Sequence, residues 1–279
     1  MKLSIITINK DNAEGLQKTL DSVACQTWHD FEHIIVDGAS ADRSVDIIRN
    51  YAADVHPYPI NWLSEPDTGI YNAMNKGIRM ANGEYCMFLN SGDYLYAENV
   101  LESVFDKKCK SDIFYGNYYT SSGDLRSGCI EEEVTCFTFF DYTIHHSGCS
   151  FIKKELFYKY GLYDEDLKIV ADWKWFLQAI GLGTATVEKI DVILSVYDLN
   201  GVSTIQEASR ISEREQVIKN NVPPLVYRDY KRFYELIDEN LERERQIRKS
   251  WAYRIGYFII APIKWIHKLR TKSFKSSII

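Results

Sequence analysis

A chain of 279 residues is long enough for one large α/β domain or two modest ones, with a substantial buried core. Its composition, 46% hydrophobic and 26% charged, excludes a disordered chain and a collagen-like or disulfide-stabilised scaffold. The net charge of −6 argues against a general nucleic-acid binder, so we expect no nucleic-acid partner.

The cysteines and the first residues bear on the compartment. The six cysteines form no C-x-x-C pair and no spacing with histidine that is typical of zinc sites. The apolar run within residues 1–7 is shorter than that of a secretory signal, and the sequence holds no N-x-Ser/Thr acceptor. We therefore expect a reducing, cytoplasmic setting.

The first hundred residues alternate between strand-like and helix-like segments. Apolar runs of strand length predict buried strands at 3–8, 31–36, 60–63 and 85–89. Apolar residues at helical spacing predict helices between them at 16–23, 44–53 and 70–81. This alternation predicts parallel β-α-β units with right-handed crossovers, and hence an α/β fold with a mainly parallel central sheet.

Acidic residues follow three of the predicted strands. Asp37 ends the second strand, Glu65 and Asp67 follow the third, and Asp93 follows the fourth. An Asp after a single strand is more often a turn or cap residue, but successive carboxyl ends share the edge of the sheet where ligands bind. Carboxylates there suit hydroxyls, base N–H groups and a divalent cation. Neither G-x-G-x-x-G after the first strand nor a P-loop is present, which argues against those phosphate-binding motifs.

Four segments carry a resemblance to a known family, namely SIITINKDN, IIVDGASADRS, SEPDTGIYNAMNKGI and ANGEYCMFLNSGD. They resemble the nucleotide-sugar half of family 2 glycosyltransferases, especially bacterial members that build lipopolysaccharide, capsule or other surface polysaccharide. The resemblance covers residues 1–205. It implies the glycosyltransferase-A fold, a Rossmann-like α/β sandwich, with 1–95 as the nucleotide-sugar half and 96–205 as the acceptor half.

The resemblance also implies residues that bind the donor. Asp37 matches the carboxylate that contacts the nucleotide base, and Asp67 matches a second donor-binding acid. For Lys76, a solvated charge on the helix is an equal alternative to a donor contact. The predicted donor-binding residues are Thr7, Asn9, Asp37, Asp67, Lys76, Asn90, Ser91, Gly92 and His145.

The segment from Asn90 to Asp93 takes the place of the family's Asp-x-Asp signature, whose acids hold the ribose and a divalent metal. Here Asn90 replaces the first acid and only Asp93 remains as the predicted metal ligand. One carboxylate with phosphate oxygens and water can still hold Mn²⁺ or Mg²⁺, since Mg²⁺ usually takes one or two protein carboxylates.

Two further residues belong to the acceptor half. His145 precedes a second histidine on an extended segment, so the two point to opposite faces and do not form a metal pair. A structural histidine is the alternative reading, but the family often has a histidine lining the site here. Asp172, in the pattern G-x-[YF]-D-E…A-D-[WY], matches the family's catalytic base. It also stands at a predicted helix N-cap, where capping is the alternative and ionisation is favoured.

The C-terminal part divides into a helical arm and a basic tail. Charged helices are predicted at 209–221 and 225–249 with Pro223-Pro224 as a hinge, and a solvated pair packing on the catalytic domain is the preferred interpretation. The arm is assigned to 206–250. Residues 251–279 hold six Lys or Arg, no Asp or Glu, and an aromatic, apolar run too short to span a bilayer.

This tail predicts an interfacial helix on an anionic membrane surface. The alternatives are a helix that covers a hydrophobic groove or one that makes an oligomer contact, so a homo-oligomer stays open. The family resemblance implies a metal-assisted, inverting glycosyltransferase, and the tail places it at the inner face of the cell membrane as a peripheral protein. It would act on a nucleotide-sugar donor, favoured as UDP-linked by family habit, and a glycan or lipid-linked acceptor. A sugar nucleotidyltransferase and a catalytically inactive membrane-bound scaffold are the alternatives.

Overall fold

The computed structural model of the protein describes residues 1–106, 110–129, 133–136, 138–199 and 207–249. By internal contacts the chain forms two compact units, Met1–Glu215 and Gln216–Ile279. Among the described residues, no helix combines the length and the apolar character needed to cross a membrane. The basic tail at 251–279 and the Gly201–Ser203 segment, which resembles a family loop near the donor phosphates, lie outside the described residues.

The first unit is built on one sheet. Its strands are β1 (Leu3–Asn9), β2 (Phe31–Asp37), β3 (Ile60–Ser64), β4 (Tyr85–Phe88), β5 (Tyr94–Leu95), β6 (Ile113–Thr120), β7 (Leu125–Ser127), β8 (Ser150–Lys153) and β9 (Val187–Tyr197). Its helices are α1 (Ala13–Ala24), α2 (Ser44–Ala53), α3 (Ile70–Met80), α4 (Val100–Phe105), α5 (Thr138–Asp141), α6 (Glu155–Tyr160) and α7 (Ala171–Phe176), which continues as a π-helical turn over Leu177–Gly181.

Two longer helices follow. Helix α8 (Glu207–Asn221) begins in the first unit and ends in the second, and α9 (Pro224–Lys249) belongs to the second. Pro224 is the first residue of α9, where its fixed φ and missing N–H are tolerated. The two helices and the proline junction are confirmed close to their predicted bounds.

The sheet is mainly parallel, as predicted. Within the described residues it has nine strands in the order β3-β2-β1-β4-β8-β6-β9-β5, with β7 paired to β6. Strands β3, β2, β1 and β4 run parallel, while β8 is antiparallel to both of its neighbours β4 and β6. Strand β9 is parallel to β6, so its carboxyl end comes to the same edge of the sheet as those of β1 and β4.

The central strands are apolar because helices cover both faces of the sheet. Every residue of β1, β2 and β4 is buried, as expected for parallel strands in the middle of an α/β domain. Two clusters lie on one face of the sheet, one with Leu3, Met87, Phe114 and Phe151, the other with Leu16, Leu20, Ile35 and Ile48 from α1, α2 and β2. Helix α3 packs on the other face, where its Gly77 lies against Ile6.

Gly83 lies in the turn that leads from α3 into β4, and it provides a test of the packing. A methyl group at this position would lie 2.5 Å from the Leu3 carbonyl carbon and 2.5 Å from the Ser4 nitrogen. Because backbone atoms of a central strand cannot move aside, we expect Gly83→Ala to lower the free energy of unfolding by about 2 kcal/mol. The melting temperature should fall by about 4–8 °C.

Gly181→Ala is the matched control, since the nearest atoms to its methyl group would be side-chain carbons of Leu177 and Phe139, at 3.2 Å, with the Cys136 Cα at an ordinary contact distance of 3.6 Å. The side-chain carbons can shift by a few tenths of an ångström, so the loss should be smaller. Equal melting temperatures for the two variants would contradict the tight contact between the turn and β1.

Candidate active site

A cavity of about 1120 Å³ opens at the carboxyl edge of the sheet. Its walls come from the residues that follow β1, β3, β4 and β9, from α3 and α7, and from the segments before β8 and α7. The predicted site residues that line it are Asn9, Asp67, Asn90, Ser91, Asp93, His145 and Asp172. Those that do not line it are Thr7, Asp37, Lys76 and Gly92.

Asp37 lies just behind the wall of the cavity. Its carboxylate accepts hydrogen bonds from the Asn9 side chain (2.9 Å), the Ser64 hydroxyl (2.7 Å) and the backbone N–H and hydroxyl of Ser40 (2.9 and 2.6 Å). Burial alone would raise the pKa of Asp37, but these hydrogen bonds outweigh it and hold the pKa below its usual value. The carboxylate thus orients Asn9, which does line the cavity.

The other three predicted donor residues serve contacts within the fold. Thr7 is buried and its hydroxyl lies 3.0 Å from His33 Nε2. Lys76 donates to the Pro66 carbonyl (2.9 Å) and pairs with Glu65 at 2.8 Å. Gly92 has φ +106°, which favours glycine, and its N–H donates to the Thr19 hydroxyl at 3.0 Å. Their role in donor binding stays a prediction.

Two carboxylates, Asp93 and Asp198, lie together at one end of the cavity. Asp93 Oδ2 accepts from the Ser147 hydroxyl (2.5 Å), and Oδ1 accepts from the Asp198 backbone N–H (2.8 Å). The pKa of Asp93 is raised to about 7, chiefly by burial and to a smaller extent by the Asp198 charge, while the two hydrogen bonds lower it in part. Asp93 is therefore poised to gain from a neighbouring positive charge.

The donor atoms at this end fit a hard divalent cation. The part of the chain that the structure describes contains no group of three or more His, Cys, Asp or Glu side chains suited to hold a metal. Beside the two carboxylates, however, Asn90 Oδ1 is buried and has no hydrogen-bond partner among the described residues. Mg²⁺ prefers such oxygens and typically uses only one or two carboxylates, with substrate phosphates and water completing the shell.

Asp172 lies on another wall of the same cavity, in the first turn of α7. The interpretation as an N-cap is wrong, because α7 starts at Ala171 and Val170 is the N-cap. The carboxylate instead accepts from the Tyr71 hydroxyl on α3, with Oδ1 2.9 Å away, while the same hydroxyl lies 2.6 Å from the Ile169 carbonyl. Burial, and next the Asp172 charge, raise the pKa of Tyr71 well above its usual value, so the tyrosine acts as a donor.

The two adjacent histidines have different surroundings, as their predicted orientation requires. The His145 ring stacks on Tyr118 with centroids 4.0 Å apart and meets Tyr197 edge-on. Burial, and then His146, lower the pKa of His145 to about 3, so its ring is neutral. Its Nε2 is buried with no hydrogen-bond partner within the described residues. His146 Nε2 lies 2.7 Å from the Tyr163 hydroxyl.

The wall near Asp172 also carries positive charge. Lys168 lines the cavity beside the loop before α7, and Arg210 and Arg214 reach it from α8. The Arg214 guanidinium lies 4.9 Å from the centre of the Trp173 ring, a cation–π arrangement. The first part of α8 thus contributes side chains to the cavity, whereas the charge pattern predicts a solvated helix that packs on the catalytic domain.

Sequence reasoning did not single out Asp198, Tyr71, Arg210 and Arg214. Asp198 directly follows β9, so the rule that identified Asp93 could have identified it too. The arginines are four residues apart and share a helix face, but nothing in their spacing tells what that face contacts. Tyr71 is 101 residues from Asp172, and no local pattern joins them.

Comparison with known proteins gives concordant matches. Residues 4–161 match the family model described as glycosyl transferase family 2. An uncharacterized glycosyltransferase of Mycobacterium tuberculosis is 32% identical over 217 residues, which are 75% of this chain and 79% of that protein. A glycosyltransferase of PGL/p-HBAD biosynthesis from Mycobacterium bovis is 30% identical over 199 residues, 70% of this chain and 76% of that protein.

Solved structures share the fold. A fragment of S. aureus TarS (1–349) in complex with UDP has a TM-score of 0.62 at 19% identity, over 78% of this chain and 64% of the fragment. The mannosyltransferase PcManGT of Pyrobaculum calidifontis, in complex with GDP-Man and Mn²⁺, has a TM-score of 0.55 at 16% identity, over 94% and 86% of the two chains. The predicted glycosyltransferase-A fold is confirmed.

Proposed function

The chain belongs to glycosyl transferase family 2, and on this premise we propose that it moves a sugar from a nucleotide-sugar donor to an acceptor hydroxyl, with inversion. The observation that carries this proposal is the shared cavity, which has Asp93 and Asp198 at one end and Asp172 on another wall. Two such acidic positions suit a reaction in which one substrate brings a diphosphate and the other brings a proton to be removed.

The proposed reaction is a single displacement. Asp172 accepts the proton of the acceptor hydroxyl as that oxygen attacks the anomeric carbon of the donor sugar. The new glycosidic bond forms while the bond from the anomeric carbon to the phosphate oxygen breaks, and the nucleoside diphosphate leaves with the electron pair. Tyr71 supports this role because its hydrogen bond to Oδ1 orients the carboxylate and leaves Oδ2 for the acceptor.

A divalent cation, Mn²⁺ or Mg²⁺, is the proposed cofactor. Asp93, Asp198 and Asn90 would hold it, in line with the buried and unpartnered Asn90 Oδ1. When bound, the cation supplies positive charge that stabilises the departing diphosphate. A neighbour of similar fold binds GDP-Man and Mn²⁺, which supports this choice without deciding the metal for this chain.

The donor is proposed to be UDP-linked, with binding residues from the predicted set that line the cavity. TarS binds UDP and UDP-GlcNAc, whereas PcManGT binds GDP-Man, so relatives of this fold use more than one base. His145 supports a contact to a substrate hydroxyl, since it lines the cavity and its buried Nε2 has no hydrogen-bond partner within the described residues.

The acceptor is proposed to be a glycan or a lipid-linked glycan in the synthesis of a cell-surface polysaccharide. In this proposal residues 1–205 are the catalytic domain, 206–250 an arm, and 251–279 a tail that binds the anionic inner face of the cell membrane. The support for the tail is its composition alone, six basic residues and no acid. A homo-oligomer through the same tail is the competing proposal.

Nucleotide release from a panel of UDP-, GDP- and dTDP-sugars, with and without Mn²⁺, tests the proposed function. Slow transfer to water reveals the donor even without the acceptor, so we expect metal-dependent release from one donor. Release from none of them, together with no donor-induced rise in melting temperature, would contradict the proposal and favour the inactive scaffold. Release of pyrophosphate from a nucleoside triphosphate and a sugar phosphate would favour the nucleotidyltransferase.

A further inference from the structure

Glu213 on α8 holds the segment that leads into α7. Its Oε1 accepts the backbone N–H of Lys168 at 2.9 Å, and its Oε2 accepts those of Ile169 and Val170 at 2.9 and 3.2 Å. Three successive backbone N–H groups therefore donate to one carboxylate, which is 45 residues from Lys168 in the sequence. A charged acceptor makes each of these hydrogen bonds stronger than a neutral one.

The start of α7 makes no side-chain capping bond of its own. Val170 is the N-cap of α7 and makes no side-chain capping bond, because valine has no acceptor. Ser, Thr, Asp or Asn would be the usual residue at that position. Glu213 binds the N–H groups of the N-cap residue and of the two residues before it, which an N-cap side chain, directed at the first turn, would not reach.

The opposite side of the same segment is held by α3. The Tyr71 hydroxyl lies 2.6 Å from the Ile169 carbonyl and 2.9 Å from Asp172 Oδ1. The single Tyr71 proton is shared between the Ile169 carbonyl and Asp172, so Tyr71 links the backbone held by Glu213 to the carboxylate three residues later. The position of Asp172 in the cavity depends on both contacts.

We propose that Glu213 is a positioning residue for the transfer step, which acts by fixing the backbone of residues 168–170 and thereby the carboxylate of Asp172. This inference rests on the proposed function, in which Asp172 is the base. A misplacement of about 1 Å at a reacting group lowers rates by as much as 10²-fold, which is the range in which Glu213 would act. The hydrogen bonds to the Asp93 carboxylate come from Ser147 and Asp198 and do not involve this segment.

The kinetic test compares Glu213→Gln with Glu215→Gln, an exposed glutamate on the same helix, in the full chain. Glutamine keeps the size but has one acceptor oxygen, so it cannot serve all three N–H groups. We expect kcat for the donor found in the panel to fall by roughly 10–100-fold in Glu213→Gln. The KM for the donor should stay within about twofold, since the interaction lost is not one with the donor. Glu215→Gln should match the wild type in both.

Hydrogen exchange gives a readout that does not need activity. Amides of residues 168–170 should exchange at least about tenfold faster in Glu213→Gln than in the wild type, while amides of β1 and β4 stay protected. Unchanged exchange at 168–170 would overturn the inference whatever the activity. If the wild type is active, an unchanged kcat in Glu213→Gln would also overturn the inference. So would a fall in kcat accompanied by faster exchange throughout the first unit.

The two proposals fail in different ways. A wild type that releases nucleotide from no donor contradicts the proposed function, while faster exchange at 168–170 would still support the hold of Glu213 on the segment. An active wild type with a fully active Glu213→Gln leaves the proposed function intact and contradicts only the positioning role.

Discussion

Asp172→Asn is expected to lower kcat for sugar transfer by roughly 10²–10⁴-fold, the contribution typical of a general base. Asparagine has nearly the same shape, and its oxygen can still accept from the Tyr71 hydroxyl, so the fold and the donor site should be unchanged. The variant cannot take the acceptor proton, and the hydroxyl would have to attack unassisted. The measurement is the rate of nucleotide release, and of transfer where an acceptor is available, with the donor and the cation saturating.

Asp166→Asn is the matched control, because Asp166 is exposed and lies on the same connecting segment but outside the cavity. It should keep wild-type activity. The rise in melting temperature on adding donor should be equal for the wild type and both variants. An Asp172→Asn enzyme that stays folded, binds donor and transfers at near the wild-type rate would remove Asp172 from the mechanism.

The second large effect is expected at Asp93, where asparagine should stabilise the metal-free protein and abolish metal-dependent transfer. The pKa of Asp93 rises from 3.8 to about 7 on folding, so the folded state binds a proton that the unfolded state releases between these values. The stability that this proton provides is complete below about pH 4 and is lost as the pH rises through about 7. The whole change corresponds to about 4 kcal/mol.

Urea unfolding at pH 5 and pH 8 without added metal measures this effect. The free energy of unfolding of the wild type should be lower at pH 8, and Asp93→Asn should lack this part of the fall because its side chain does not titrate. Asp54→Asn, at an exposed helix end, is the control and should follow the wild type. The same pH slope in Asp93→Asn and the wild type would contradict the buried titration.

Metal-dependent transfer, in contrast to the stability of the metal-free protein, requires the charged carboxylate of Asp93. Mn²⁺ with a nucleoside diphosphate should raise the melting temperature of the wild type at pH 8 and leave that of Asp93→Asn unchanged. The stability of the folded protein and its activity would then be in opposition at one residue, as is common where a charged site is kept for its chemistry. Equal stabilisation of both proteins by metal and nucleotide would argue against a cation at this end of the cavity.

The sequence predicted the sheet well, for a physical reason that also limits what it predicts of the site. Central parallel strands are continuous apolar runs, and the polar residue at the end of each run marks the ligand edge, which is how Asp93 was found. The prediction that Asp172 caps the helix is wrong, because the N-cap is Val170, two residues earlier, and such a difference is beyond what a pattern resolves. This difference places Asp172 in the first turn of the helix, where its carboxylate accepts from the Tyr71 hydroxyl and does not cap the helix.

Contacts between distant segments were not predictable in the same way. The bonds from Tyr71 to Asp172 and from Glu213 to residues 168–170 join elements whose relation is set by packing. A charged helix pattern over 209–221 is equally consistent with full solvation and with a face directed into a cavity. The structure shows that Arg210 and Arg214 on this helix line the cavity.

The insertion of β9 between β6 and the edge strand β5 has a consequence for how the protein is synthesised. Asp93 is translated early, but Asp198, whose backbone N–H it accepts, follows 105 residues later, and Glu213 later still. A nascent chain that has emerged only to residue 161, where the family match ends, contains the four segments that resemble the family but lacks Asp172, Asp198 and Glu213. Such long-range closure slows folding. A hybrid enzyme assembled by exchanging acceptor halves must therefore bring its own partner for Asp93.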